Sequence, residues 1–321
     1  MKTMLVLSMG ALLLAGTLSA QTPVPEWQAG VDKMKSLIQT NPAQASEEVG
    51  ELLKGKNKKN VDLVTSVAHV YLDAGKLTEA QEYLAMAKKA NNKDPKVSVL
   101  EGDIALAQKN IGQACQLYEQ AIYFDPNCKE AYLKYAQAYK SASPALAIEK
   151  LEQLKAVDPN CLEADRELAE VYYSSNRFGK AAEMYAKFID TPLATEDDML
   201  KYAFALFLNH DFEKSLQVAQ KGLQKNARHA AFNRLVMYNN TDLKRYEDAE
   251  KAAHAFFNAS DRADYSYLDY RYYGALLSAL KKYDEAIIEY GKALEKDGTQ
   301  VDLWREISDA HEMNNNYAEA I

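Results

Sequence analysis

The feature that most constrains the fold of this chain is a repeated spacing of small side chains. Alanine or serine recurs in steps of 34, 33, 34, 34, 34, 37 and 34 residues, at Ala80, Ala114, Ala147, Ala181, Ser215, Ala249, Ala286 and Ala320. Twelve residues before each of these, or eleven in the shorter unit, lies a second position of the series: Ala68, Gly102, Ala136, Ala169, Ala203, Met237, Gly274 and Ser308. A period of this length indicates a stack of supersecondary units.

Each unit is predicted to be a hairpin of two helices that cross at these two positions, because close approach of helix backbones needs small side chains. Tyr185 and Phe188 follow Ala181 at offsets of four and seven, which gives the second helix one apolar face. In the first helix Leu168 lies one residue before Ala169 and Tyr172 lies three residues after it, so this helix also has one apolar face. The sequence therefore predicts an all-α fold, a right-handed α-solenoid of tandem helix-turn-helix repeats.

Several predicted units end in an aspartate followed by a proline. These pairs are Asp94-Pro95, Asp125-Pro126 and Asp158-Pro159. Proline cannot continue a helix but fits the first position of the next one. We therefore expect the prolines to mark the starts of new hairpins.

This pattern resembles the tetratricopeptide repeat, whose helix-turn-helix unit of about 34 residues has small, aromatic, alanine and proline positions at these offsets. The resemblance covers about Asp62 to Ile321 and is fullest over Leu162 to Asp190 and Val301 to Ile321. Irregular packing is expected where the chain departs from the pattern, at Glu101, Pro144, Met237 and Asn240. Lys and Asn residues with which some members of the family bind a chaperone's terminal carboxylate are not found at the equivalent positions.

The beginning of the chain differs from the repeats. Lys2, an apolar run over Met4–Leu14 and the small residue Ala20 are typical of a cleavable signal peptide. We therefore predict a signal peptide over 1–20, a degenerate first hairpin over 21–60, and about eight repeats over 61–321. A bacterial protein of this kind would be exported to the periplasm or the outer membrane, without a transmembrane segment after cleavage. The last hairpin stops early at Ile321, so we expect the sequence to be part of a longer protein.

Composition and motifs argue against most chemistry. A net charge of −8 and a pI near 5.3 disfavour nucleic acid as a partner. The five histidines fall in different repeats, and no metal-binding, phosphate-binding or nucleophile motif is present, so neither a metal, a cofactor nor an enzymatic activity is predicted. Cys128 and Cys161 occupy equivalent positions of adjacent repeats, roughly 8–10 Å apart, and are expected to be free thiols.

In such a solenoid the first helices line a concave groove, where partners bind. The outward positions of the first helices lie three before, one after and four after the small residue. An apolar and aromatic stretch with nearby arginines occupies these positions at mid-chain, and we predict it to be the partner-binding surface. Its residues are Arg166, Tyr173, Leu200, Phe204, Phe207, Arg234, Tyr238, Arg271 and Arg305. Packing of Phe204 and Phe207 against a neighbouring hairpin is the alternative for those two.

The predicted function is a protein-protein interaction scaffold of the bacterial cell envelope, which binds a peptide or protein segment in the groove. Two alternatives remain open. The repeats could be the recognition arm of an enzyme whose catalytic domain follows Ile321, or a glycan-binding surface suggested by the 21 tyrosines. The tyrosine run from Tyr265 to Tyr273 is expected to serve mainly in packing.

Overall fold

The computed structural model describes residues 24–259 and 264–320, and this part of the chain is all-α. The predicted fold class, a solenoid of helix-turn-helix repeats, is confirmed. The predicted signal peptide over 1–20 and the terminal Ile321 lie outside the described residues.

The helices divide between two compact units, the first ending at Asn92 and the second beginning at Lys93. The first unit contains α1 (Gln28–Leu37), α2 (Pro42–Leu52), a short 3-10 helix (Gly55–Lys59), α3 (Val61–Asp73) and α4 (Leu77–Asn91). The second contains α5 (Pro95–Ala107), α6 (Ile111–Phe124), α7 (Lys129–Tyr139), α8 (Pro144–Val157), α9 (Leu162–Ser174), α10 (Phe178–Phe188), α11 (Glu196–Leu208), α12 (Phe212–Lys225), α13 (Ala230–Asp242), α14 (Tyr246–His254), α15 (Tyr267–Ala279), α16 (Tyr283–Lys296) and α17 (Val301–Met313).

The small positions lie where helices of one hairpin meet. A Cβ added to Gly274 in α15 would lie 2.7 Å from Cδ1 of Tyr290 in α16, and one added to Gly102 would lie 2.5 Å from Cε1 of Tyr118. Real Cβ atoms do not approach other atoms so closely. The first-helix position must therefore be small because an aromatic ring of the second helix lies directly against its backbone.

The turn inside most of the hairpins has a recurring backbone geometry, which the turn between α1 and α2 lacks. The residue two before the second helix is left-handed, with φ between 58° and 74° at Gly75, Lys109, Asn176, His210, Lys244 and Lys281, and again at Asn315. The next amide donates to a carbonyl five residues back, as from Arg177 to Tyr172 at 2.8 Å. This closure satisfies carbonyls at the end of the first helix and reverses the chain in few residues. The shorter unit, with Pro144 at the start of α8, departs from it.

The expectation for the prolines holds at one site of three. Pro95 is the first residue of α5, but α7 and α9 begin three residues after Pro126 and Pro159. At those two sites the aspartate side chain accepts a hydrogen bond from the amide two residues on, from Asn127 at 2.9 Å and Asn160 at 3.2 Å. The aspartate thus closes a turn around the proline before the next helix starts.

Stacking in the second unit brings the first helices side by side. Direct contacts join α5 to α7, α7 to α9, α11 to α13 and α13 to α15, and each second helix also contacts the following first helix. Apolar residues from three consecutive hairpins share one buried cluster that includes Tyr132, Leu168 and Tyr202. The outward positions of successive first helices therefore form one surface, which we call the first-helix face.

The unit of Met237 and Asn240, expected to pack irregularly, has a regular helix with buried amides. The Nδ2 of Asn240 donates to the carbonyl of Val236 at 2.9 Å, and that of Asn239 donates to Ser215 Oγ at 2.8 Å. Bonds of the first kind keep a buried amide satisfied within its own helix. Met237 is completely buried at the position that is small in other units.

The step of 37 residues falls after α14. There the helix continues as a π-helical turn over Ala255–Ala259. Phe257 in this turn packs against Tyr265, Tyr270 and Tyr273, with ring centroids 5.0 to 5.6 Å away. These tyrosines of the run contribute to packing.

Candidate functional site

The aromatic part of the first-helix face is narrower than the sequence pattern suggests. Phe207 and Tyr238 belong to the buried core, with 9% and 2% of their surfaces exposed. The ring of Phe207 lies 5.6 Å from Tyr238, and Tyr238 stacks on Tyr272 at 4.0 Å. Both were predicted to contact a partner. Their burial follows from the close approach of α11, α13 and α15, which places the ring of each helix between its neighbours.

Three other predicted apolar residues stay partly accessible. Tyr173 meets the ring of Phe178 edge-on at 5.7 Å, at the margin of the core. Leu200 and Phe204 of α11 are half-buried against the next core cluster. These three side chains form the apolar part of the first-helix face that a partner could contact.

The predicted arginines mainly join one hairpin to the next. Arg166 pairs with Asp198 at 3.0 Å and Arg234 with Asp269 at 2.7 Å, and both acids are almost completely buried. Arg271 holds Glu306 at 2.6 Å. In each pair the acid lies in the first helix of the following hairpin, 32 or 35 residues on. Three of the four arginines predicted as partner anchors thus already have an acidic partner within the chain.

Arg305 occupies the equivalent position in α17 but is not enclosed. Its side chain is 72% exposed, and its acidic neighbour Asp302 lies 3.4 Å away in the same helix. Exposed pairs of this kind contribute little to stability. Of the four arginines, Arg305 is the one whose charge faces solvent.

Two buried aspartates have a second function at helix starts. Asp198 and Asp269 each stand at the third position of their helix and form a capping box, with Thr195 and Ser266 respectively. The carboxylate of Asp269 accepts from Ser266 N at 2.7 Å, from Tyr238 Oη at 2.7 Å and from Arg234. One buried carboxylate therefore fixes both the start of a helix and the junction to the preceding hairpin.

A second charged junction centres on Glu170 in α9. Burial opposes ionisation of this carboxyl group, but hydrogen bonds from Lys201, Tyr185 and Lys140 outweigh it and hold the pKa of Glu170 below its ordinary value. Lys201 lies 2.9 Å away in the next first helix, and Lys140, the residue directly after the preceding first helix α7, lies 3.1 Å away. This ionised group links three consecutive hairpins.

A pocket of about 350 Å³ opens where α13, α15 and α17 meet on the first-helix face. Its walls are Thr241, Asp242, Leu268, Arg271, Tyr272, Ala275 and Glu306. Tyr272 donates a hydrogen bond from its hydroxyl to Oδ2 of Asp242 at 2.9 Å. Burial is the main cause that raises the pKa of Asp242 above its usual value. The pocket combines an aromatic ring, a short apolar wall and carboxylates.

Sequence reasoning placed one residue of this pocket, Arg271, in the candidate site. The outward-position rule also reaches Thr241 and Ala275, but it misses Asp242, Tyr272 and Glu306. Asp242 is the last residue of α13 and follows Thr241, the last outward position of that helix. Tyr272 lies within the tyrosine run. A search for acids about one repeat away from an arginine would have found Glu306.

In the described part of the chain no three His, Cys, Asp or Glu side chains come together in a way that could hold a metal ion. Cys115, Cys128 and Cys161 are free thiols, as expected for the latter two. Burial raises the pKa of Cys115 to about 11. Within residues 24–259 and 264–320 no helix has the length and apolar character needed to cross a bilayer.

A match to a known sequence profile agrees with this architecture. The sequence profile of the tetratricopeptide repeat matches residues 68–127 and 137–193. No curated protein matches the sequence. A tetratricopeptide repeat protein from Parabacteroides merdae is 15% identical, with a TM-score of 0.47, and the alignment covers 78% of this chain and 98% of that one.

The pilF protein of Pseudomonas aeruginosa is also similar in structure. It is 15% identical with a TM-score of 0.50, and the alignment covers 64% of this chain and 96% of that one. A likeness at this identity concerns the fold. Together with the repeated hairpin geometry, the profile match shows that residues 68–127 and 137–193 are tetratricopeptide repeats.

Proposed function

We propose that this chain is a protein-binding scaffold that holds a peptide or protein segment against its first-helix face. The supporting observation is the pocket between α13, α15 and α17, which lies on that face beside half-buried apolar side chains. Repeat surfaces of this kind suit extended or helical peptides, because successive helices present side chains at regular intervals. Arg305, Leu200, Phe204 and Tyr173 would contribute outside the pocket.

We further propose that the protein is exported and works in the cell envelope. The supporting observation is the charged start, apolar run and small residue within 1–20. An epitope-tagged chain expressed from its full coding sequence in a bacterial host should appear in the periplasmic or outer-membrane fraction. N-terminal sequencing should then begin at Gln21. An intact Met1 on a chain in the cytoplasmic fraction would contradict export.

Peptide selection tests the binding function. A library of random 12-residue peptides is selected against the immobilised chain, and the enriched peptides are measured by fluorescence anisotropy. Ala275→Arg fills the pocket from its half-buried wall, whereas Gln220→Arg places the same side chain on another face, where Gln220 of α12 is exposed. We expect Ala275→Arg to weaken binding at least tenfold and Gln220→Arg to leave it unchanged. Equal affinity for both variants would place the binding surface elsewhere.

A further inference from the structure

The carboxylate of Asp242 is incompletely compensated. Tyr272 gives one hydrogen bond to Oδ2, and no second donor to this side chain is found among the described residues. His210 is the nearby basic residue that favours the ionised form, but its effect is smaller than that of burial. A partly desolvated carboxylate in this situation gains from a cation that completes its hydrogen bonds.

The other charged groups of the pocket neutralise each other. Nε and Nη2 of Arg271 both bind Glu306, at distances from 2.6 to 3.2 Å. This pair occupies the edge of the guanidinium formed by Nε and Nη2, which an anionic ligand would otherwise use for bidentate binding. Further along α17, Asp309 and Glu312 are exposed at the outward positions. With Arg271 and Glu306 paired, the formal charge of the pocket walls is negative and is contributed by Asp242.

The uncharged walls of the pocket are an aromatic ring and apolar side chains. The ring of Tyr272 is stacked on Tyr238 and also lines the pocket. A guanidinium or ammonium group close to an aromatic ring is attracted by the negative face of the π-system. Leu268 and Ala275 line the same space and could contact the methylene stem of such a side chain.

We propose that this pocket receives a Lys or Arg side chain of the bound partner, whose cation pairs with the carboxylate of Asp242 and lies against the ring of Tyr272. The proposal rests on the proposed function, since it names the chemistry of the segment that the first-helix face holds. It makes Asp242 the specificity-determining residue of the pocket. A neutral or acidic side chain would leave the carboxylate without a counter-charge and bind more weakly.

The pocket can be tested with a probe that carries the cation alone. The 15N-labelled chain is titrated with Nα-acetyl-L-arginine amide, and the neutral isostere Nα-acetyl-L-citrulline amide serves as the matched ligand. We expect saturable shifts of the amides of Thr241, Asp242, Tyr272 and Ala275 with the arginine compound. The citrulline compound should bind about tenfold more weakly, because it lacks the charge.

Asp242→Asn is the informative variant, because the amide oxygen can still accept the hydrogen bond from Tyr272 and the helix end is preserved. It should weaken binding of the arginine compound about tenfold. Asp197→Asn, at an exposed acid on α11, is the control and should have no effect. No saturable shift at the pocket, equal binding of the two compounds, or equal binding by Asp242→Asn would overturn the proposal.

The peptide selection distinguishes this inference from the proposed function. Enriched peptides that lose affinity for Ala275→Arg but show no preference for Lys or Arg would leave the binding function in place and refute the cation pocket. Enriched peptides with a basic residue, whose affinity falls in Asp242→Asn, would support both. A saturable arginine titration without any enriched peptide would keep the pocket and remove the support for peptide binding.

Discussion

Removal of the Arg234 side chain should weaken the contact between α13 and the first turn of α15, which belongs to the next hairpin. Arg234 donates two hydrogen bonds to Asp269, at 2.7 Å from Nε and 3.1 Å from Nη2, and its guanidinium lies 5.2 Å from the ring of Phe256. Asp269 has no exposed surface. In Arg234→Ala this carboxylate stays buried and loses its counter-charge.

Arg234→Ala should lower the free energy needed to open the first turn of α15 by about 3 kcal/mol. Breaking a buried ion pair by removing one partner costs about 3–5 kcal/mol. The lower end applies because Asp269 keeps its hydrogen bonds from Tyr238 and Ser266, and because 23% of the Arg234 side chain is exposed. Since each 1.4 kcal/mol is a factor of ten, the first turn of α15 should open on the order of 100-fold more often.

Native-state hydrogen exchange of the amides in the first turn of α15 measures this opening directly. Arg305→Ala is the matched control, because Arg305 has the same register position in α17 but is exposed. Its effect should stay within about 0.5 kcal/mol. If Arg305→Ala accelerated exchange in the first turn of α17 as much as Arg234→Ala does in that of α15, the buried pairs would not be what joins the hairpins.

Further predictions concern the turns, the crossing points, the charged junction and the thiols. Lys244→Gly should increase the free energy of unfolding by about 1 kcal/mol and raise the thermal midpoint, because Lys244 has a φ of 59° that glycine adopts without strain; an unchanged or lower midpoint would contradict this. Gly274→Ala should destabilise the chain in urea by about 1–3 kcal/mol, because its Cβ would lie 2.7 Å from Tyr290. The pKa of Glu170 is lowered in the folded state, so its contribution is present at neutral pH and is lost as the pH falls through that lowered pKa. Glu170→Gln should therefore destabilise the chain at pH 7 and match the original chain once the pH is below the lowered pKa of Glu170. Cys115, with a pKa of about 11, should react with a thiol reagent at pH 8 only after unfolding.

The architecture could be predicted because it depends on spacing along the chain. The small positions, such as Gly274, and the second-helix aromatics, such as Tyr290, recur at offsets that only paired helices explain. The left-handed turn residue recurs equally well, but no residue type marks it. It is Lys at 109, 244 and 281, so its backbone geometry is set by the closure of the hairpin and not by a glycine preference.

The surface could be predicted only in outline, because exposure depends on how closely the hairpins stack. Tyr238 satisfies the rule for an outward position, yet α15 approaches α13 so closely that its ring is covered by Tyr272. Arg166 and Arg234 satisfy the same rule, and their acids lie one repeat further on. A rule applied within one repeat cannot detect a partner in the next.

The most direct test of the binding face is site-specific photocrosslinking in living cells of the native host. p-Benzoylphenylalanine is placed at Ala275, in the wall of the pocket, or at Gln220, beside a depression of about 490 Å³ that α12, α13 and α14 form on another face. We predict a discrete crosslinked protein at Ala275 and none at Gln220. A crosslink at Gln220 alone, or equal crosslinks at both positions, would contradict partner binding on the first-helix face.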